Sequence, residues 1–284
     1  MTRIVTLPDG RDLAYEEYGD PGGTPVLSCH GGLSSRLDAA PAHGAAQALG
    51  IRLISPDRPG IGRSTFQPGR RLLDWPSDVA ALADVLGLDR FAVMGWSSGG
   101  PYAAACAARL GERVTAAALL SSAIPLDLFG TTQGLTLDDR ILLFLVRRVP
   151  VLAAAVLRGT ISDASDARLY QEIRRSFPPV DRAVLAERGS PSAAVAFIKE
   201  STRQGTRGAL VDYRIFGDPW GFALEEIDVL VHLWEGTEDH TDSPQYPEFL
   251  LRHLPRAKLT LVPGEGHISL LTHQAHEILS ALIA

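Results

Sequence analysis

The alternation of polar and apolar positions is confined to the first twenty residues. There two short alternating segments, "RIVTL" and "LAYEEY", flank the turn signal "PDG", which predicts an opening β-hairpin. Beyond it, runs that are apolar throughout alternate with helical stretches: "PVLSCHG", a helix within 36–49, "IRLISPD", a helix within 75–87, "FAVMGW", a helix within 98–110, then "VTAAALLSS". Uniformly apolar strands are buried on both faces, and strands alternating with helices form a mostly parallel sheet with helices on each side. From about 126 to 222 the pattern turns helical and irregular, with "LDDRILLFLVRRV", "DARLYQEIRRSF" and "DRAVLAERG" separated by Pro and Gly. The α/β rhythm resumes with "VLVHLWEG", a helix near 245–253, "KLTLVPG" and a closing helix from about 268 to 282. The expected organisation is an α/β core in two parts, 1–125 and 223–284, with a helical cap, 126–222, inserted between them.

Composition narrows the function classes. A chain of 284 residues, 45% hydrophobic and 21% charged, is long enough for a full globular core. The net charge of −6 and the lack of a basic stripe argue against nucleic acid as a partner. The most apolar stretch, "ILLFLVRRVPVLAAAVL" at 141–157, is interrupted by Arg147, Arg148 and Pro150 and falls short of the roughly 18 to 20 apolar residues of a membrane span. It reads as a pair of buried or groove-lining helices. Cys29 and Cys106 lie in apolar surroundings and read as buried free thiols of a reducing compartment. With no long apolar core in "MTRIVTLPDG", the expectation is a cytoplasmic protein acting on a small molecule, its oligomeric state open.

The chemistry concentrates at predicted strand ends. Gly95-Trp96-Ser97-Ser98-Gly99 fits G-x-S-x-G between a predicted strand and a predicted helix, a turn too sharp for bulky neighbours. It nominates Ser97 as nucleophile and the Ser98 N–H as an oxyanion donor. A serine hydroxyl needs a base and a group that orients the base. His267, in "LVPGEGHISL", follows the last predicted strand, and the chain order Ser, acid, His fits this architecture. The acid is expected in "EGTEDHTDSP", with Asp239 the first choice; Asp242 and Glu238 are rivals, and Asp127 is a topological alternative. His240 reads as a bystander. His30-Gly31-Gly32 follows an earlier strand, so the Gly32 N–H is the proposed second oxyanion donor, with the His30 ring orienting the loop. "SPDRPGIGRS" lacks the endings of a phosphate-binding loop and reads as a brace for the site. No metal site is expected, since His273 and His276 lack an accompanying ligand cluster and His232 sits in a strand.

In this order, "HGG", "DRPGIGRS", "GWSSGG", G-T-E-D and "GEGH" resemble the α/β-hydrolase superfamily, in particular its cap-bearing serine esterases and lipases. The resemblance implies a Ser97–His267–Asp239 triad, an oxyanion hole at Gly32 and Ser98, and no cofactor. Serine in place of aspartate disfavours the dehalogenases and epoxide hydrolases of that family, and "HGGLS" with "GWSSGG" departs from its proline iminopeptidases. Ester hydrolysis is the expected activity. Lactonase, thioesterase, perhydrolase, carbon–carbon hydrolase and lyase chemistry, or a receptor with little turnover, are the alternatives the family offers. Trp96, beside the nucleophile, and Trp220 and Phe222, where the cap returns to the core, are the candidate substrate-pocket residues.

Overall fold

The computed structural model describes residues 1–130, 135–241 and 243–284. Eight strands form one sheet: β1 (Arg3–Thr6), β2 (Asp12–Gly19), β3 (Thr24–Cys29), β4 (Ile51–Pro56), β5 (Phe91–Trp96), β6 (Val114–Leu120), β7 (Val231–Gly236) and β8 (Ala257–Val262). Their order is β1-β2-β4-β3-β5-β6-β7-β8. The opening hairpin is antiparallel and joins β4 antiparallel; every pairing from β4 onward is parallel. Chain order and sheet order diverge at β3, where the following strands leave in opposite directions, and ligands of open α/β sheets bind beyond the strand ends at such a point.

Strand β5 shows why its run is apolar throughout. Phe91 and Val93 enter one core cluster while Ala92, Met94 and Trp96 enter a second, as the two-residue period of a strand requires when helices cover both faces. The first cluster takes in α2 (Trp75–Val85), α3 (Gly100–Arg109) and α11 (Tyr246–His253). The second takes in α1 (His43–Ala48), α12 (His267–His273) and α13 (Ala275–Ile283). Two helices depart from the sequence pattern. The 36–49 stretch begins as a 3-10 segment, Arg36–Ala42, containing Pro41, before α1. The closing helix breaks at Gln274 into α12 and α13.

Between β6 and β7 lie α4 (Leu126–Phe129), α5 (Leu137–Arg148), α6 (Pro150–Leu157), α7 (Asp166–Ser176), α8 (Pro179–Glu187), α9 (Pro191–Ser201) and α10 (Arg207–Gly217). Pro150 separates α5 from α6 and serves as the first residue of α6, where its missing N–H costs nothing. These helices build a third cluster around Leu142, Val146, Leu157, Ile161 and Leu169. Val184 and Leu185 of α8 and Phe197 of α9 belong instead to the second core cluster, beside Ile268 and Leu271 of α12. The insertion is thus partly a body of its own and partly a piece of the core.

Candidate active site

Ser97 sits on the turn out of β5 at φ +55°, a left-handed conformation that costs a non-glycine residue about 1–3 kcal/mol. The surroundings enforce it through missing side chains. A Cβ on Gly99 would overlap the Cys29 carbonyl, one on Gly95 the Gly99 carbonyl, and one on Gly100 the Ser122 hydroxyl. The turn can therefore press against the end of β3 and the loop after β6 only with glycine at these positions.

His267 opens α12, and its ring is held from several sides. Nδ1 lies 2.7 Å from Asp239 Oδ2 and 2.9 Å from Thr241 Oγ1. The Thr241 hydroxyl donates to Asp239 Oδ1 at 2.6 Å and the Thr241 N–H donates to the same oxygen at 2.9 Å. The Asp239 side chain is 1% exposed. Burial pushes its pKa up, yet the neighbouring His267 and the hydrogen bonds from His267 and Thr241 outweigh burial and hold the carboxyl well below the ordinary range. An ionised carboxylate only accepts, so His267 Nδ1 carries a proton toward Asp239. The Trp96 indole N–H donates to the His267 carbonyl at 2.9 Å, its ring centre 5.0 Å from the imidazole, and Phe177 stacks on the imidazole at 6.1 Å.

His30 plays no such part. It is fully buried, the Arg58 N–H donates to its Nε2 at 3.1 Å, and Nδ1 lies 3.0 Å from the Gly31 carbonyl. Burial first, then the Arg58 charge, lowers its pKa well below that of a free histidine, leaving a neutral ring that ties two loops together. The Gly31 N–H donates to Asp38 Oδ2 at 2.9 Å, and a Cβ on Gly32 would come 3.0 Å from Ser98 Oγ, so the two glycine-containing turns meet. Arg58, fully buried, donates to the His30 and Gly31 carbonyls and to Asp212 of α10; Asp212 also accepts from Arg70 and from Tyr102 Oη. The "DRPGIGRS" segment thus braces the site and fastens α10 to it.

A cavity of about 560 Å³ opens over these residues, a size suited to a small-molecule ligand. Gly32, Trp96, Ser97, Ser98, Thr241 and His267 line its floor, while Leu142, Leu145, Leu157, Ile173, Phe177 and Phe197 of the insertion line its walls. Two expectations need correction. Trp220 and Phe222 do not line this cavity: Trp220 is 3% exposed in the first core cluster, and Phe222 packs against it and beside the Arg109 guanidinium. Their aromatic surface serves the core rather than a ligand. Asp127, Glu238 and His240 are exposed, whereas Asp242 lies outside the described residues. Sequence reasoning missed Thr241, although an Asp followed two residues later by Thr is a turn signal that places the hydroxyl on the carboxylate. It also missed Phe177 and Asp181, which reach the histidine from 90 and 86 residues away in the chain and leave no local signal.

Among the described residues no cluster of three or more potential metal ligands occurs, and no helix is long and apolar enough to cross a membrane. Comparison with known proteins agrees with the architecture. The chain is 37% identical to a non-heme chloroperoxidase of Streptomyces lividans over 123 residues, and 35% identical to a bifunctional esterase/perhydrolase of Acinetobacter calcoaceticus over 127. Each match spans 43% of this chain and 44% of the relative. The solved bromoperoxidase of Bacillus anthracis superposes with a TM-score of 0.76 at 21% identity, covering 100% of this chain and 99% of that one. The sequence model of the family described as "alpha/beta hydrolase fold" matches residues 24–274, and the protein belongs to that family.

Proposed function

We propose that this protein is a serine hydrolase that cleaves carboxylic esters of small molecules. The observation that carries the reading is the His267–Asp239 pair, 2.7 Å apart, in the same cavity as Ser97, Gly32 and Ser98. Ser97 Oγ attacks the ester carbonyl as His267 Nε2 takes its proton. The N–H groups of Gly32 and Ser98 hold the developing oxyanion, each worth about 2.7 to 4 kcal/mol in the transition state. The imidazolium then protonates the leaving alcohol, and water, deprotonated by the same ring, releases the acid. Asp239 keeps the proton on Nδ1 and stabilises the imidazolium; it is not protonated itself. Residues 126–222 act as a cap, and the Leu and Ile side chains of α5, α6 and α7 supply an apolar wall for the acyl group.

The names of the two curated relatives favour a second reading of the same site. Hydrogen peroxide in place of water would take up the acyl group from Ser97 and leave as a peracid. Hydrolysis of p-nitrophenyl esters of increasing acyl length, with Ser97→Ala alongside, tests the first reading. Activity in the wild type that is lost in the variant supports it. A folded wild type inactive on every chain length contradicts it. Peracid formation on adding peroxide to an active acyl donor tests the second reading.

A further inference from the structure

Helix α12 is capped in an unusual way. The first N–H groups of a helix have no partner within it, and a Ser, Thr, Asp or Asn at the position before normally accepts from one of them. Here that position is Gly266, which has no side chain to offer. The acceptor comes from the insertion. Asp181, in the first turn of α8 and fully buried, accepts the His267 N–H on Oδ2 at 3.0 Å, and the Ile268 and Ser269 N–H groups on Oδ1 at 3.0 and 2.8 Å. The glycine is what admits it, since a Cβ on Gly266 would stand 2.6 Å from Asp181 Oδ1. Val184 and Leu185, one turn further along α8, pack in one cluster with Ile268 and Leu271, so the contact is seated on both polar and apolar surface.

We propose that Asp181 is a positioning residue for His267: it fixes the backbone from which the imidazole projects, and so ties the aim of the imidazole to the seating of the inserted helices. The role in turnover rests on the reading of Ser97, His267 and Asp239 given above. Other links between insertion and core, such as Ser35 Oγ to the Phe197 carbonyl at 2.9 Å and Gln204 to the Gly62 and Ser64 carbonyls, hold the insertion without touching the histidine. Asp181 bonds to its backbone directly. A displacement of α8 leaves three N–H groups without acceptors and frees the turn that carries the ring. With α8 seated, the ring stays on Asp239.

Two substitutions of Asp181 separate this role from general stability. Asp181→Ala removes all three bonds. Asp181→Asn can keep the two on Ile268 and Ser269 through its carbonyl, but then turns its NH₂ toward the His267 N–H. Asp181 does not line the cavity, so its replacement should change substrate binding little. The expected result is a kcat per active site lowered about 100-fold in Asp181→Ala, the effect of a misplaced catalytic group, and less in Asp181→Asn, with KM within about twofold of wild type. Gly266→Ala crowds the same contact from the core side, and the double variant with Asp181→Ala should be no worse than Asp181→Ala alone. A second readout needs no turnover: the low-field proton resonance of His267 Nδ1–H, identified by its loss in His267→Ala. It should persist in Ser97→Ala and broaden or vanish in Asp181→Ala, or in Asp181→Asn where the alanine variant does not fold. Unchanged kcat with an unchanged resonance, whatever happens to Tm, would overturn the proposal, as would fully additive losses in the double variant. If the wild type hydrolyses no ester, the ester reading fails and the resonance alone decides the positioning role.

Discussion

The turn that carries Ser97 and the turn that carries His267 are built on different principles. Ser97 is held by what is absent: glycines at 95, 99 and 100 let backbone press on backbone, and every group involved belongs to the sheet, its helix or the loop after β6. His267 is held by what is supplied from elsewhere: a carboxyl from α8, a ring from Phe177, an indole from Trp96 and the Asp239–Thr241 turn. The first arrangement is local, built from groups close to the serine turn. The second is shared between core and inserted helices, so on the proposed reading the placement of α8 bears directly on the histidine.

Substitutions at the two turns should differ accordingly. Ser97→Ala removes the nucleophile and should lower ester hydrolysis at least about 10⁴-fold with the denaturation midpoint little changed. Asp239→Asn forces the wrong tautomer on the ring and should cost about 10⁴-fold in kcat; a small loss would mean that Thr241 alone suffices to orient His267. Gly99→Ala should break the serine turn through the fold, losing roughly 1–3 kcal/mol of stability along with activity, as read by urea denaturation and by hydrolysis. Normal stability there would show that the turn has slack. Thr241→Val deletes one hydroxyl bridge, worth about 0.5–1.5 kcal/mol, and should lower kcat by about 2- to 10-fold while Tm moves little.

The smallest effect concerns pH and the loop beside the serine. Asp38 is fully buried, and burial raises its pKa to about 6 against the lowering by the Gly31 N–H and the Ser34 hydroxyl. Its folded value then exceeds the unfolded one of about 3.9. Stability from this group is complete below about pH 4 and is lost as pH rises through about 6. Wild type should therefore lose more stability between pH 4 and 7 than Asp38→Asn, measured by urea midpoints at both ends. Equal slopes would place the proton elsewhere.

The strands, their mostly parallel order and the helices between them were legible because buried parallel strands and amphipathic helices leave periodic traces. Ser97 and His267 stood out because a sharp turn demands glycines nearby, and Asp239 because an acid just past a strand end is expected there. The break at Gln274 has no Gly or Pro to announce it, so 268–282 reads as one helix. Trp220 and Phe222 misled for a related reason: an aromatic residue at a junction looks the same in sequence whether it faces a ligand or fills a core. Asp181 was illegible because its partner is set by the docking of α8 on α12, a contact between surfaces 86 residues apart. The support of Ser97 is written next to it, and that of His267 is not.

The central claim is that Ser97 is a nucleophile activated by His267, and covalent trapping tests it most directly. Incubation with a fluorophosphonate ester, followed by intact-protein and peptide mass spectrometry, should give one adduct per chain on Ser97. The adduct should be absent in Ser97→Ala and form far more slowly in His267→Ala. A folded protein that forms no adduct, or carries it on Ser98 or another residue, would contradict the account.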